Sequence, residues 1–320
     1  MKRLPWSGDA PVLMLAPMQG LTNRALRACM IERSRPDVVF TEFVRVQAKS
    51  RKRVARSDLD DIRGHTSSVP LVVQLIGHGV EALTEAARMV QDAGAEYLNL
   101  NLGCPYGRMT SGATGGELLR DPGKLAELLH GLRKAIPGSF SVKCRAGYDD
   151  QQQIFQLLPI YEDAGLDFLI LHPRTVAQRY GGEADHRITA EVARRTTLPV
   201  IANGDINTAG RGRDILAGSE AAGLMLGRGA LADSLLFRRL RKELSPVVDE
   251  RQRRHDLFAF LDDLLPRYQE LFCGERQTLM KIKDLLNFIP DQQLQRDLGR
   301  MKRARDITVF RQQMLNLREG

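Results

Sequence analysis

Short apolar runs rich in β-branched residues alternate with amphipathic segments along most of the chain. The amphipathic segments, such as VEALTEAARMVQDAG (80–94) and DPGKLAELLHGLRKAIP (121–137), repeat apolar residues three and four positions apart and end at glycine or proline. This alternation is typical of βα units built around a parallel sheet. The eight predicted strands cover 12–18, 38–44, 71–77, 95–103, 139–147, 166–174, 198–206 and 221–229.

Eight such units within about 240 residues match the usual size of a (β/α)8 barrel. A doubly wound sheet would normally show fewer strands and a GxGxxG turn near its start. After residue 244 the strand pattern stops, and helix-patterned segments follow at 253–272, 275–289 and 292–317. We therefore predict an α/β fold, a TIM barrel at residues 1–244 followed by a small all-helical C-terminal domain at 245–320.

The bulk composition is that of a globular chain with an excess of basic residues. Hydrophobic residues make up 43% of the 320 positions, and no apolar run approaches the roughly 20 residues of a membrane-spanning helix. The N-terminus lacks the apolar stretch of a signal peptide. We expect a cytoplasmic monomer without a membrane partner. Lysine and arginine number 47 against 39 acidic residues, and this net charge of +8 suits a polyanionic partner.

In a barrel of this kind the active site lies at the carboxyl ends of the strands, so polar residues that end each run are candidates. After the first run, which ends in Ala16, Pro17 and Met18, they are Glu42, Arg45, Gln74, Asn99, Asn101, Cys104, Lys143, Arg145, His172, Arg174, Asn203, Gly204, Gly227 and Arg228. Any single one could instead be a satisfied structural group. A set that recurs at every strand end indicates a functional site.

Two features of this set suggest what the site binds. The ANGD and LGRG stretches after the seventh and eighth strands place glycines and Arg228 where many barrels bind phosphate. Lys143 and Arg145 would place two cations over the barrel mouth, which suits an electron-rich cofactor or an anionic intermediate. The alternative is that one of these cations simply pairs with Glu42.

The four cysteines, Cys29, Cys104, Cys144 and Cys273, lie far apart, without a CxxC pair or a histidine at ligand spacing. This pattern argues against a zinc site and a disulfide framework, so we expect reduced thiols and no metal. Only Cys104 follows a predicted strand inside a glycine-rich stretch, LNLNLGCPYGRMTSGATGGELL (98–119). Its spacing alone leaves open whether Cys104 is a small packed residue or a reactive thiol.

Motifs at all eight predicted strands resemble those of the flavin-dependent tRNA-dihydrouridine synthases. In chain order they are APMQGLTNRALR, TEFVRV, VQLIG, LNLNLGCPYGRMTSGATGGELLRDP, VKCRAGYDD, LHPRT, VIANGDI and LMLGRGAL. The GCP followed by spaced glycines is the most specific of them. TEFVRV and KIKDLL are most similar to the C-type bacterial subgroup, which is associated with uridine 16 of the D-loop. Tyr106 departs from the family pattern, in which a smaller residue is commoner.

The resemblance implies an enzyme that reduces the C5–C6 double bond of a D-loop uridine in tRNA, with bound FMN as cofactor and NADPH as reductant. The residues that it implies for FMN are Ala16, Pro17, Met18, Gln74, Lys143, His172, Asn203, Gly204, Asp205, Gly227 and Arg228. The flipped-out uridine would be held by Asn101 and Arg145. The residues implied for the rest of the tRNA are Arg45, Tyr180, Lys281, Lys283 and Arg303.

The reaction needs a hydride at C6 and a proton at C5, and the resemblance makes Cys104 the catalytic residue that gives the proton. An unperturbed thiol is mostly protonated at neutral pH, so it can donate where a carboxylic acid would already be ionised. Cys29, Cys144 and Cys273 lack such a setting, and we expect them to be structural.

Two basic runs are candidates for phosphate contacts. RVQAKSRKRVAR (45–56) follows the second strand onto the predicted active-site face and contains no acidic residue. RMKRAR (300–305), in the helical region, could equally be a solvated surface.

Two alternative functions share parts of these patterns. A flavin-dependent reductase of free pyrimidines, similar to dihydroorotate dehydrogenase, would have no use for the basic runs. A non-catalytic tRNA-binding barrel would have no use for FMN. The sequence leaves open which uridine is modified and the choice between NADPH and NADH.

Overall fold

The computed structural model describes residues 3–106, 108–109, 112–289 and 291–319. The chain forms two compact units. The barrel unit comprises Met1–Pro17, Asp37–Asp205 and Asp214–Met225, and the helical unit comprises Met18–Pro36, Ile206–Arg213 and Leu226–Gly320. The domain boundary predicted at residues 244 and 245 stays a prediction. Gly107, Thr110 and Ser111 of the glycine-rich stretch lie outside the described residues.

The strands form the closed barrel that the sequence predicts. They are β1 (Val12–Leu15), β2 (Val38–Phe40), β3 (Val44–Arg45), β4 (Leu71–Ile76), β5 (Tyr97–Leu102), β6 (Arg108–Met109), β7 (Gly112–Ala113), β8 (Ser139–Gly147), β9 (Phe168–Thr175), β10 (Val200–Asn203) and β11 (Gly223–Leu226). The sheet order is β2-β1-β11-β10-β9-β8-β5-β4-β3, and a parallel pairing of β2 with β4 closes it. Because β2 and β3 both pair with β4, they act as one of eight barrel strands. The predicted TIM barrel is confirmed.

One hairpin was not predicted. Strands β6 and β7 pair in antiparallel fashion inside the glycine-rich stretch, between β5 and a short 3-10 helix at Gly115–Arg120.

The barrel interior changes from apolar to polar along the strand direction. Its apolar part consists of Val12, Met14, Ala16, Val38, Phe40, Val72, Phe168, Ile170, Ile201 and Met225. Alternate residues of a strand face the same side, so Gln74 and His172, two residues after Val72 and Ile170, face the same interior. The polar residues therefore gather at the carboxyl ends of the strands, where the sequence predicts the site.

The helices are α1 (Arg24–Ser34), α2 (Arg56–Arg63), α3 (Val80–Asp92), α4 (Pro122–Ala135), α5 (Gln153–Asp163), α6 (His186–Arg195), α7 (Ala209–Ser219), α8 (Arg228–Ala232), α9 (Leu236–Leu240), α10 (Glu250–Leu271), α11 (Gly274–Leu286), α12 (Gln295–Lys302) and α13 (Ile307–Glu319). Several begin at residues with strong capping preference. The carboxylate of Asp121 accepts from the N–H of Lys124 at the start of α4, where Pro122 takes the first position. The carboxylate of Asp249 caps α10 in the same way.

Within the helical unit, α1 packs against α10. Arg33 pairs with Asp263, and Arg267 pairs with Glu32. The last predicted helical segment, 292–317, is divided into α12 and α13 because Asp306 starts a new helix by accepting from the N–H of Val309. Within the described ranges, no helix combines the length and apolarity needed to cross a membrane.

Candidate active site at the barrel mouth

A buried chain of side-chain amides runs from β8 to the loop that carries Cys104. Asn101 accepts from the backbone N–H groups of Gly103 and Cys104 at 3.1 and 2.9 Å. Its Nδ2 donates to Oε1 of Gln74 at 2.8 Å, and Nε2 of Gln74 donates to Oδ1 of Asn99 at 2.7 Å. Nδ2 of Asn99 then donates to Oγ of Ser141 at 2.8 Å.

The two backbone N–H groups determine the direction of this chain. Because both can only donate, the Asn101 atom that faces them must be the oxygen. Each following amide is then oriented by the one before it. Gln74, Asn99 and Asn101 are all buried, so a broken link would leave a buried polar group without a partner. The chain therefore fixes the backbone position of Cys104 with respect to three strands.

Two glycines allow the Cys104 loop to pack closely. A Cβ atom at Gly115, whose φ is +59°, would lie 2.9 Å from Cβ of Cys104. A Cβ atom at Gly116 would lie 2.5 Å from Cγ2 of Val176 and 3.1 Å from the carbonyl oxygen of Cys104. That carbonyl accepts from the N–H of Gly116 at 3.1 Å. The half-buried Cys104 thiol is thus held between the end of β5 and the 3-10 helix.

Lys143 is a half-buried cation on β8, beside Asn101 in the strand register. Burial, together with the charge of Arg145, lowers the pKa of Lys143 to about 8. Among the described residues, no carboxylate is close enough to offset this shift. The alternative of an ion pair with Glu42 is therefore not found for Lys143.

Arg145 is buried and joins two loops of the barrel mouth. Its Nε donates to the carbonyl oxygen of Gly103 at 2.9 Å, and its Nη1 donates to the carbonyl oxygens of Thr175 and Arg179. Its guanidinium also lies 5.4 Å from the ring centroid of Tyr180. Arg145 thus connects the Cys104 loop with the loop after β9. Its contact with the uridine stays a prediction, and Nη2 is the group that could make it.

His172 faces the mouth from β9, opposite Arg145 in the register of β8 and β9. Its Nε2 lies 3.1 Å from Nη1 of Arg174. Because a guanidinium only donates, Nε2 must accept, which places the ring proton on Nδ1. Burial, reinforced by the positive charges of Lys143 and Arg145, lowers the pKa of His172 well below its usual value. His172 is therefore a neutral imidazole with a donor at Nδ1.

Arg174 is itself held by Asp205, whose Oδ2 lies 2.7 Å from Nη2 of Arg174. Oδ2 of Asp205 also accepts from the N–H of Ala184 at 2.8 Å. The neighbouring residue must be glycine, because a Cβ at Gly204 would lie 2.7 Å from Cδ2 of His172. Gly204 also has a φ of +117°, a conformation that side chains strongly disfavour.

The other predicted cofactor residues are divided between the two units. Ala16, Pro17 and Asn203 belong to the barrel unit, where Nδ2 of Asn203 donates to the carbonyl oxygen of Met225 at 2.9 Å. Met18, Gly227 and Arg228 belong to the helical unit. In that unit Gly229 allows a close backbone approach, because a Cβ there would lie 2.1 Å from the carbonyl oxygen of Ile206. Their predicted contacts with FMN stay predictions.

The predicted RNA-binding residues also lie on both units. In the barrel unit, the exposed cations of the first basic run are Arg45, Lys49, Arg51, Lys52 and Arg56, and Tyr180 is exposed as well. Arg53 of the same run is instead paired with Glu85. In the helical unit, Lys283 donates to the carbonyl oxygen of Ala304, Lys281 lies 5.8 Å from the Phe272 ring centroid, and Arg303 is exposed.

The remaining cysteines differ from Cys104 in setting. Cys29 and Cys144 are buried, and burial raises the pKa of each thiol to about 12. Cys273 is exposed at the start of α11, outside the barrel unit.

The model of the family described as dihydrouridine synthase (Dus) matches residues 14–314. This chain belongs to the dihydrouridine synthase family. The predicted family, fold class and enzyme class are therefore confirmed.

Three curated members of the dihydrouridine synthase family illustrate the similarity. A probable tRNA-dihydrouridine synthase of Rhodobacter capsulatus is 38% identical over 228 residues, which cover 69% of this chain and 68% of that protein. The tRNA-dihydrouridine(16) synthase of Haemophilus influenzae is 37% identical over 227 residues, covering 68% and 73%. A probable tRNA-dihydrouridine synthase of Rickettsia bellii is 32% identical over 271 residues, covering 82% and 80%.

The structure adds residues to the dihydrouridine synthase site that the sequence reasoning did not assign. Ser141 ends the amide chain. It could have been found from strand alternation, because it lies two residues before Lys143. Arg174 was a candidate at the end of the sixth strand, and the structure adds that it fixes the His172 tautomer. Arg179 carried no such signal, because its loop has no periodic pattern.

Proposed function

We propose that this chain reduces the C5–C6 double bond of a D-loop uridine in tRNA, with uridine 16 as the target, FMN as cofactor and NADPH as reductant. Membership of the dihydrouridine synthase family and the similarity to a tRNA-dihydrouridine(16) synthase support this assignment. The observation that carries it is the fixed position of Cys104 at the barrel mouth, next to two cations.

The side chains at the mouth fit a flavin. Lys143 supplies a positive charge that no carboxylate among the described residues neutralises, and His172 supplies a fixed donor at Nδ1. Gln74 keeps a second amide hydrogen besides the one that it gives to Asn99. Such donors suit the electron-rich edge of a flavin ring. The other proposed contacts are Ala16, Pro17, Met18, Asn203, Gly204, Asp205, Gly227 and Arg228.

A bound flavin, once reduced by NADPH, would supply the hydride for C6 of the uracil ring. Cys104 then donates its thiol proton to C5, which completes the saturation of the double bond. The thiolate that remains recovers a proton from water. His172 cannot replace Cys104 as the acid, because it is neutral and its low pKa keeps it so.

The proposed substrate contacts use N–H groups at the mouth that are not needed for the hydrogen bonds described above. Asn101 keeps one amide hydrogen, and Arg145 keeps its Nη2 group, so both can bind the carbonyl oxygens of a uracil ring. Arg45, Tyr180, Lys281, Lys283 and Arg303 are the proposed contacts with the rest of the tRNA. Contacts of this kind with phosphates orient an RNA without reading its bases, so they can select which uridine reacts.

The test is dihydrouridine formation by the full chain. The purified protein is loaded with FMN and incubated with NADPH and an unmodified tRNA transcript, and nucleotides are mapped by mass spectrometry. We expect one dihydrouridine at position 16 and none in a transcript with cytidine at that position. Reduction of free uracil or orotate instead of tRNA would support a pyrimidine reductase. A protein that takes up no FMN but binds tRNA would support the non-catalytic alternative.

A further inference from the structure

Two exposed tyrosines stand on the two loops that Arg145 joins. Tyr106, two residues after Cys104, is 64% exposed, and Tyr180, in the loop after β9, is 51% exposed. In the described part of the barrel unit, they are the two aromatic side chains with the greatest exposure. Large rings held in water beside a reactive centre indicate a surface that a partner covers.

Each ring is paired with an arginine. The guanidinium of Arg179 lies 5.6 Å from the ring centroid of Tyr106, and that of Arg145 lies 5.4 Å from the ring centroid of Tyr180. Both distances are within the range of cation–π attraction. Arg179 is exposed, so its charge can also reach an anionic partner.

The backbone at Arg179 is held in an unfavourable conformation. Its φ is +52°, in the left-handed region that residues other than glycine seldom adopt. Arg145 holds it there by donating to its carbonyl oxygen, and the N–H of Arg179 donates to the carbonyl oxygen of Val176 at 3.1 Å. Strain of this kind persists where the surrounding structure fixes it, commonly at binding sites. The backbone of Arg179 is therefore fixed beside Tyr106 before any partner arrives.

We propose that Tyr106 and Arg179 form a stacking site for an unpaired nucleobase of the tRNA, next to the uridine that reacts. Nucleobases stack on aromatic rings and on guanidinium planes, and the phosphates beside them bind arginine. The short distance along the chain from Cys104 to Tyr106 places this base beside the reacting one. The proposal rests on the proposed function and adds a recognition site to it.

The test compares Tyr106→Leu and Tyr106→Phe as full-length proteins binding an unmodified tRNA transcript. Stacking contributes about 1–3 kcal/mol per base, so we expect the leucine variant to bind roughly 5- to 150-fold more weakly and the phenylalanine variant to bind like wild type. The salt dependence of tRNA binding should not change with leucine. In Arg179→Gln, the slope of log affinity for tRNA against log salt should fall by about 0.7–0.9, as expected for one lost phosphate contact.

A matched control and a direct probe make the test specific. Arg195, which lies 4.4 Å from the Phe155 ring centroid, offers the same pairing outside the mouth, and Arg195→Gln should leave tRNA affinity unchanged. In Tyr106→Trp the new indole should lose fluorescence when tRNA is added. The wild type, whose single tryptophan, Trp6, packs on Phe168, gives the background signal.

Three results would overturn the proposal while leaving the proposed function intact. One is a wild type that binds and reduces tRNA while the leucine variant binds it within twofold. Another is an unquenched indole at position 106. The third is a leucine variant in which only the KM for NADPH rises, which would assign the rings to the nicotinamide nucleotide. A wild type that neither binds nor reduces tRNA would instead contradict the proposed function.

Discussion

Single side chains decide which group at the barrel mouth can act as an acid. Cys104 and His172 are both suited to proton transfer by residue type. Burial and the charges of Lys143 and Arg145 lower the pKa of His172 and keep the ring neutral, and the N–H of Arg174 occupies its Nε2. Cys104 has no such restriction, and hydrogen bonds from its loop to Asn101 fix its backbone at the barrel mouth. His172 is therefore a fixed donor, and Cys104 stays the proposed acid.

The first prediction concerns Cys104→Ala. A general acid contributes typically 10²–10⁴-fold to a reaction, so uridine reduction should slow by that factor. FMN binding and its reduction by NADPH, followed by absorbance, should be retained, because neither needs the thiol. The control is Cys273→Ala, which removes an exposed thiol outside the barrel unit and should leave turnover unchanged. Normal turnover of tRNA by Cys104→Ala would exclude the proposed proton donor.

The second prediction concerns Arg174→Met, observed at His172. In the wild type the pKa of His172 lies well below 6.5, so the ring stays neutral as the pH falls to 6. The methionine variant loses one positive charge and the donor to Nε2, so the pKa should rise toward 6.5. Burial, the larger cause of the shift, remains and keeps it from rising further.

The measurement is ¹⁵N NMR of histidine-labelled protein between pH 5 and 8, with His172→Gln used to assign the signals. Wild-type His172 should give one protonated and one unprotonated ring nitrogen from pH 8 down to pH 6. A wild-type His172 that titrates near pH 6.5 would contradict the Nδ1–H assignment. Arg174→Lys, which keeps the charge, should show a smaller change than Arg174→Met.

At the level of secondary structure, hydrogen bonds hold the loops after β5 and β9 to the strands and to each other around the site. The strand register places Gln74, Asn99 and Ser141 side by side. The hydrogen bonds between their side chains continue through Asn101 into the Cys104 loop. Arg145 then connects that loop to the one after β9. The 3-10 helix completes the arrangement, because its first residues lie against Cys104 and Val176.

The third prediction tests this contact with Gly116→Ala. The new Cβ would lie 2.5 and 2.9 Å from the two methyl groups of Val176, so the 3-10 helix should be pushed from Cys104. Overpacking of this kind costs typically 1–3 kcal/mol, and turnover on tRNA should fall. The double variant Gly116→Ala/Val176→Ala removes both methyl groups and should recover part of the stability and the turnover.

Thermal unfolding and steady-state kinetics measure these two effects. Val176→Ala alone is the matched control, because it shows what the smaller residue 176 costs by itself. If the double variant melted no higher than expected from the sum of the single changes, the close contact would not be the cause.

In the whole molecule, part of the excess of basic residues forms an exposed run at residues 45–56. The net charge is +8, and five of the six cations in the 45–56 run are exposed, namely Arg45, Lys49, Arg51, Lys52 and Arg56. Elsewhere many arginines are used in ion pairs, as Arg254 is with Asp297 and Arg239 with Asp256. The run after β3, on the barrel unit, is therefore one exposed cationic surface that an RNA could contact.

The fourth prediction concerns Arg51→Gln/Lys52→Gln. Each cation that contacts a phosphate releases a counterion, so the slope of log affinity for tRNA against log salt should fall by about 0.7–0.9 per contact, or about 1.4–1.8 for two. The KM for NADPH should not change. As a control, Lys124→Gln removes an exposed charge at the start of α4 and should leave the slope unchanged. An unaltered slope in the double variant would place the RNA elsewhere.

The sequence by itself determined the architecture and placed a set of candidate residues at the carboxyl ends of the strands. The alternation of apolar runs with amphipathic segments and the order of eight motifs predict the barrel, because parallel strands that are buried on both faces appear as short continuous apolar runs. The polar residues at the ends of these runs identify Gln74, Lys143 and His172 as candidates at the mouth. The hairpin at β6 and β7 and the break between α12 and α13 were missed, because both depend on local turns with a weak pattern.

Only the tertiary structure decided which groups those residues contact. The partners of Arg145 are carbonyl oxygens of residues 30 to 42 positions away, and no pattern in the sequence marks a carbonyl as an acceptor. The tautomer of His172 depends on which of its ring nitrogens faces Arg174. The ring of Tyr106 lies next to Arg179, which belongs to another loop and has a strained backbone. Such contacts arise between distant segments after the barrel has closed, so they follow from the fold and not from local sequence.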